Sequence, residues 1–230
     1  MKLFGLEKLS LVDYDGLVAS TVFTASCNFK CPFCHNSPLV TDVNNLTEIP
    51  EQEVLDYFNS RRGILDGVCI TGGEPTLQKD LPEFIAKIKA LGLSVKLDTN
   101  GTNPDMIKYL FENKLIDYVA MDIKNSKENY ASIIGFEKFD TAKVEESVDY
   151  LINSDADYEF RTTLVKEYHT ATDIENIGKW IKGAKKYALQ KFKDTGSCIE
   201  SGLSPIGDNV AKEYLDIIIK YVPNAKLRGY

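Results

Sequence analysis

The chain has 230 residues, 43% of them hydrophobic and 27% charged, with a formal net charge of −7; this is ordinary globular composition at a length that suits one α/β domain, taken here as residues 1–230. The acidic balance argues against a nucleic-acid partner, because no excess of cations is available to displace phosphate counterions. No apolar run approaches the roughly 20 residues that cross a bilayer, and residues 1–8 meet charge too early for a secretory signal, so the expectation is a cytoplasmic chain with no membrane partner.

In chain order, short β-rich runs alternate with longer stretches of helical periodicity. A strand is predicted over 17–23 and a helix over 50–60, with Val54, Leu55 and Phe58 on one face. A strand follows over 67–71. The next helix, 81–91, carries Phe84, Ile85, Ile88 and Leu91 at helical spacing and stops at Gly92. A strand over 94–98 leads to a helix over 104–113 with Pro104 in its first turn. Then come a strand over 118–122, a helix over 141–152, a strand over 158–163, a helix over 173–182, a strand over 187–192 and a helix over 208–221. Several strands are near-continuous apolar runs, as strands covered on both faces must be. Six strand–helix units imply parallel pairing with right-handed crossovers. A full eight-unit barrel needs about 250 residues, so the predicted fold class is α/β, a partial (β/α)6 TIM-like barrel of parallel strands. A doubly wound open sheet is the structural alternative.

Five cysteines are present, and three of them fall within eight residues. In a reducing compartment such clustering points to metal or catalysis rather than to a disulfide framework. Cys69, inside Val68-Cys69-Ile70, reads as a small buried hydrophobe. Cys198 lies in a loop with Gly and Ser and carries no readable role.

The cluster of cysteines is Cys27-Asn28-Phe29-Lys30-Cys31-Pro32-Phe33-Cys34-His35-Asn36, with the spacing Cys-x3-Cys-x2-Cys. Three thiolates on one short loop can hold three irons of a cubane. Electron-transfer [4Fe–4S] sites use four cysteines. With no fourth nearby, one iron keeps an open position, the mark of a catalytic metal site. Phe29 and Phe33 would shield the cluster from water, and Phe33 could also stack on a purine. The alternative is structural zinc with His35 as fourth ligand; it is weaker, because such sites usually join two separated ligand pairs.

This loop resembles the signature of the radical S-adenosylmethionine superfamily, and most of all that of the activating enzymes of glycyl-radical enzymes. The resemblance implies a full or partial (β/α) barrel, one [4Fe–4S] cluster on Cys27, Cys31 and Cys34, and S-adenosyl-L-methionine as cofactor. Gly72-Gly73-Glu74-Pro75 follows the next strand about forty residues on. Two glycines let a ligand approach the backbone, and the tetrapeptide resembles the motif that holds the methionine amino group, with Glu74 accepting from the ammonium. A plain turn is its bland reading. Asp98 and Thr99, in Leu97-Asp98-Thr99-Asn100-Gly101, and Asp122, in Met121-Asp122-Ile123-Lys124, match positions that border the cofactor and bind a monovalent cation in the pyruvate formate-lyase activator, with the Ala120 carbonyl as a further ligand. The resemblance also places Phe33, His35, Ile123 and Lys124 beside the cofactor, and sets Arg161 against the methionyl carboxylate. A capping turn for Asp98 and Thr99, and a structural salt bridge for Arg161, are the plain alternatives.

Within the superfamily the resemblance is strongest to activators of anaerobic ribonucleotide reductase. It rests on the lead-in Leu11-Val12-Asp13-Tyr14-Asp15-Gly16, on Tyr130 and Gly135, and on Leu189-Gln190-Lys191-Phe192. It implies a glycyl-radical enzyme as protein substrate and a low-potential donor such as flavodoxin or ferredoxin. The pyruvate formate-lyase activators are the second reading, and a non-catalytic iron–sulfur or zinc protein the third. The sequence departs from the resembled pattern twice. Ser26 stands where Gly is common, and Lys193-Asp194-Thr195-Gly196 replaces an arginine–proline pattern.

Overall fold

A computed structural model describes residues 1–194 and 196–230; Thr195, within the second departure noted above, lies outside the described residues. Among the described residues there are eight strands and eight α-helices, and they group into two compact units.

The first unit comprises Met1–Asn28, Pro38–Thr99 and Asn103–Val119. Its strands are β1 (Gly5–Ser10), β2 (Ala19–Thr24), β3 (Gly67–Gly72) and β4 (Ser94–Thr99). They lie side by side in that order, β1 antiparallel to β2 and the others parallel. Three helices of two turns or more accompany the short α1 (Pro38–Thr41) or follow it: α2 (Glu51–Ser60), α3 (Leu81–Ala90) and α4 (Pro104–Glu112). The sequence explains their limits. In α3, Pro82 stands in the first turn and Lys87 and Lys89 in the last, where they complement the helix dipole. Gly92 then takes a φ of +82°, which ends the helix without steric cost. In α4, Asn103 caps the start by accepting from the Met106 N–H. The buried face of α3 is Leu81, Phe84, Ile85 and Ile88, all at 0% exposure. Each such side chain contributes about 1.5–3 kcal/mol by leaving water.

The second unit comprises Phe29–Ser37, Asn100–Thr102 and Ala120–Tyr230. The chain passes into it within β5 (Tyr118–Asp122). The short α5 (Tyr130–Ile133) and α6 (Ala142–Asn153) precede β6 (Tyr158–Leu164). Then come α7 (Ala171–Trp180), β7 (Tyr187–Lys191), α8 (Asp208–Ile218) and β8 (Ala225–Arg228). β6, β7 and β8 pair in parallel. Helix α7 begins on a capping box: the Thr170 side chain accepts from the Asp173 N–H, and the Asp173 carboxylate accepts from the Thr170 N–H. An aromatic cluster fills this unit beneath the cysteine loop, with Phe29 edge-on to Phe139 at 5.4 Å and Tyr130 stacked on Phe139 at 5.7 Å.

The six predicted strands are β2 to β7, and the fold class is the expected α/β type, a partial (β/α)6 TIM-like pattern of parallel strands. Two strands escaped the sequence. β1 has three exposed positions among its six and pairs on one side only, so it lacks the apolar run of a buried strand. β8 spans four residues, too few for a period to show. The start of α7 lies two residues before its predicted start, because the apolar pattern begins after the capping box. The end of α8 falls three residues short of the prediction, with Ile219 largely exposed beyond it. No helix is long and apolar enough to cross a membrane among the described residues.

Candidate active site

In the first unit, the candidate residues gather where β2, β3 and β4 end. Thr24 closes β2, and Ser26 takes a φ of 70°, the left-handed region that glycine occupies freely. This is the position where the resembled loops carry Gly. The Ser26 N–H donates to the Leu39 carbonyl at 2.8 Å, and the Ser26 carbonyl accepts from the Glu74 N–H at 2.8 Å. A Cβ on Gly72 would stand 2.2 Å from the Thr24 oxygen, and one on Gly73 would stand 2.0 Å from the Ser26 oxygen. The close approach these glycines permit is therefore to the chain's own backbone at the entry to the cysteine loop, where the sequence reading anticipated a ligand.

Glu74 is 1% exposed. Its Oε1 accepts from the Thr76 N–H at 3.1 Å, the Thr76 hydroxyl at 2.6 Å and the Thr99 hydroxyl at 2.7 Å. A buried carboxylate held by these donors has a fixed direction. Pro75, next in the chain, opens a short 3-10 turn. Asp98 ends one residue before Thr99, with its Oδ1 2.8 Å from the Lys96 ammonium. Cys27, three residues beyond β2, is half-buried and free of any disulfide.

In the second unit, Cys31 is buried and Cys34 half-buried, neither in a disulfide. The Cys34 N–H donates to the Cys31 carbonyl at 3.0 Å, and the Lys30 N–H to the Ile134 carbonyl at 2.9 Å. Burial pushes the Cys34 thiol up, against the opposing pull of the Asn36 backbone and the Lys124 charge. Phe29 and Phe33 are 2% and 5% exposed. The Phe33 ring lies 6.3 Å from that of Tyr168 and has the Lys124 ammonium 6.0 Å from its centre.

Asp122 stands between two cations, 2.9 Å from Lys124 Nζ and 2.9 Å from Arg161 Nε. Burial works against its charge, but Arg161 and Lys124 outweigh it and hold the carboxyl down to about 2. Burial likewise opposes the Lys124 charge, and Asp122 and Cys31 raise it regardless. Two cations around one anion leave a net charge of about +1, suited to a carboxylate ligand. Ile123 is fully buried and acts through its backbone, its N–H donating to the Arg161 carbonyl at 2.8 Å and its carbonyl accepting from Thr162 at 2.6 Å. The Lys124 carbonyl lies 2.9 Å from His169 Nε2, while Nδ1 of the same ring accepts from the Val165 N–H at 3.1 Å. Burial pushes the His169 pKa down, which favours this neutral form.

His35 turns to the segment after β7. Its ring stacks on Phe192 at 5.5 Å, and its Nε2 lies 2.6 Å from the Lys193 carbonyl. Around it, Ser197 Oγ donates to the His35 carbonyl at 2.9 Å, and the Glu200 N–H donates to the Pro32 carbonyl at 2.9 Å. Phe192, Lys193, Ser197 and Glu200 thus clasp the second half of the cysteine loop. The sequence reading singled out Phe192 within a subfamily motif, but not His169, Tyr168, Ser197 or Glu200. Only His169 left a trace, as one of two histidines in the chain.

An α/β fold whose first parallel strand leads into a loop of three cysteines outside any disulfide is the frame of an iron–sulfur enzyme with one open iron. The radical SAM superfamily model matches residues 21–181, and the chain belongs to that superfamily. A protein of Methanocaldococcus jannaschii assigned as a glycyl-radical enzyme activating enzyme is 34% identical over 97% of this chain and 94% of its own length. The pyruvate formate-lyase-activating enzyme of Listeria monocytogenes is 32% identical over 54% of this chain and 53% of its own. Among solved structures, QueE from Escherichia coli matches with a TM-score of 0.58 at 16% identity, covering 98% of this chain and 92% of that one.

The protein is thus a radical SAM enzyme of the glycyl-radical-enzyme activating family, which uses a [4Fe–4S] cluster and S-adenosylmethionine. The residues present fit these groups. Three cysteines on the loop form no disulfide, and no three His, Cys, Asp or Glu side chains among the described residues are grouped as a site for a single ion. In a cubane each thiolate binds its own iron. The passive metal-protein reading is set aside by family membership.

Proposed function

We propose that this chain activates anaerobic ribonucleotide reductase by generating a glycyl radical on it. The match along nearly the whole length of an assigned glycyl-radical activating enzyme supports the general activity. The resemblance of the lead-in Asp13-Tyr14-Asp15-Gly16 to that of the reductase activators supports the particular partner; in the fold this segment is held by the Thr21 hydroxyl, which donates to the Asp13 carboxylate at 2.6 Å. When bound and reduced by one electron from the donor, the cluster would supply reductive cleavage of S-adenosylmethionine to methionine and a 5′-deoxyadenosyl radical, the chemistry that removal of Hα from one glycine of the partner requires.

The chain's own residues bind and orient. Cys27, Cys31 and Cys34 would hold the cluster, three thiolates for its four irons. Glu74, its direction fixed by Thr76 and Thr99, accepts from the methionyl ammonium. Lys124 and Arg161, spaced by Asp122, receive the carboxylate. Phe33 excludes water beside Cys31 and Cys34; Gly72, Gly73 and Pro75 shape the backbone beside Glu74, Ile123 shapes that beside Asp122, and His35 holds the end of the cysteine loop. Asp98, Thr99 and Asp122 remain the candidate monovalent-cation ligands by resemblance; their oxygens are already engaged by Lys96, Glu74, and Arg161 with Lys124. The reductant is a flavodoxin or ferredoxin, and the setting is the cytoplasm.

Pyruvate formate-lyase is the second candidate partner, favoured by the Listeria relative. The deciding experiment offers the reduced, loaded protein to each candidate enzyme and reads the glycyl radical by electron paramagnetic resonance. A signal on the reductase alone supports the proposal, and a signal on the lyase alone overturns it.

A further inference from the structure

β4 reads Ser94-Val95-Lys96-Leu97-Asp98-Thr99, and a lysine in the middle of a buried parallel strand demands a reason. A buried ammonium is costly unless it is paired and hydrogen-bonded. Lys96 is 5% exposed. Its Nζ donates to the Asp13 carbonyl at 2.6 Å, lies 2.8 Å from Asp98 Oδ1, and stands 3.8 Å from the Cys69 sulfur. The strand register puts Thr21, Cys69 and Lys96 in one row across β2, β3 and β4. Asp98 follows two residues on, and so lies on the same face of its strand.

The row is tied to the lead-in loop at two points. Thr21 donates to the Asp13 carboxylate, and Lys96 donates to the Asp13 carbonyl. The loop itself is built, with the Val12 and Asp13 N–H groups donating to Ser10 Oγ at 3.3 and 3.1 Å. Tyr14 packs so closely on β3 that a Cβ on Gly67 would lie 3.1 Å from its ring.

We infer that Lys96 is a positioning residue for Asp98: anchored by the Asp13 carbonyl, its ammonium fixes the direction of the carboxylate at the end of β4. The lead-in motif thereby acts on the cofactor side of the strands without touching it. Cys69 is the small, soft neighbour 3.8 Å from the ammonium between the strands. This rests on the reading that Asp98 borders S-adenosylmethionine.

The test is a double-mutant cycle on the dissociation constant of S-adenosylmethionine, measured on cluster-loaded protein by equilibrium dialysis. Iron and sulfide content and the melting of the cluster-free chain are followed in parallel. The variants are Lys96→Met, which keeps the apolar stem, Asp98→Asn, and the pair together. The expected result is a tenfold or greater weakening in each single variant, no further weakening in the pair, and unchanged iron and sulfide. KM for S-adenosylmethionine rises while kcat holds. Tight binding by Lys96→Met beside weak binding by Asp98→Asn overturns the inference, as do losses that multiply in the pair. Wild-type binding by Asp98→Asn instead removes Asp98 from the cofactor's surroundings, and the inference falls with that reading. If Lys96→Met does not fold, Lys96→Arg carries the test: retained charge predicts binding within about threefold of wild type, and a tenfold loss overturns the inference.

Discussion

Replacing Asp122 by Asn removes the one anion between Lys124 and Arg161 while keeping the side chain's shape. The Asp122 carboxyl is held at about 2 instead of its ordinary 3.8. At 1.36 kcal/mol for each pH unit, that difference corresponds to about 2.4 kcal/mol of preference for the charged form. The Asp122 side chain keeps 28% of its exposure, so solvent screens part of it, and a contribution of about 1–2 kcal/mol is expected. The sign follows from linkage. A carboxyl with a lowered folded-state pKa stabilises the fold above its unfolded pKa, and that stabilisation fades as pH falls from about 4 toward 2. Urea titrations of the cluster-free chain, wild type against Asp122→Asn, measure it. The variant should be about 1–2 kcal/mol less stable at pH 7, and the two curves should approach each other below pH 4. Equal stability at pH 7, or a gap that stays constant down to pH 2, would refute the ionic account of this trio.

Gly73→Ala drives a Cβ to within 2.0 Å of the Ser26 carbonyl, so the cluster-free chain should lose about 3 kcal/mol or more; a change in cofactor affinity with unaltered melting would restore the ligand-approach reading of the glycines. Ser26 occupies a left-handed conformation that costs an L-residue about 1–2 kcal/mol, so Ser26→Gly should be neutral or slightly stabilising and Ser26→Val should lower the melting point. The His35→Ala change removes a ring stack and the contact to Lys193; hydrogen exchange in residues 192–194 and 196–200 of the cluster-free chain should quicken roughly tenfold. Unchanged exchange there would mean that His35 does not anchor the clasp.

The central strands were legible because they are buried on both faces and therefore read as apolar runs. The active-site class was legible because three thiols at fixed spacing have few other uses. What the sequence concealed was long-range. Nothing local to Gly72 and Gly73 says whether backbone or ligand fills the space beside them; the answer lies in Thr24 and Ser26, some 47 residues away in the chain, brought there by the parallel register of β2 and β3. The clasp of Ser197 and Glu200 on the cysteine loop joins residues more than 150 positions apart. Lys96 did leave a signal, a charge inside an apolar strand, and its meaning became plain only with Asp13 and Asp98 placed around it. Arg161, suspected for its charge in a strand, pairs with Asp122; the salt bridge and the cofactor role proposed for Arg161 would share the same side chain.

The central claim is that this chain cleaves S-adenosylmethionine at a cluster held by Cys27, Cys31 and Cys34. The direct measurement is anaerobic: reconstitute the cluster, reduce it, add S-adenosylmethionine and quantify 5′-deoxyadenosine, with and without each candidate partner. The account predicts the nucleoside together with an equal amount of methionine, and neither product from a Cys27→Ala, Cys31→Ala or Cys34→Ala variant. An intact, reduced cluster that yields no nucleoside even with the partners present, or cleavage that survives loss of one of these cysteines, would contradict it.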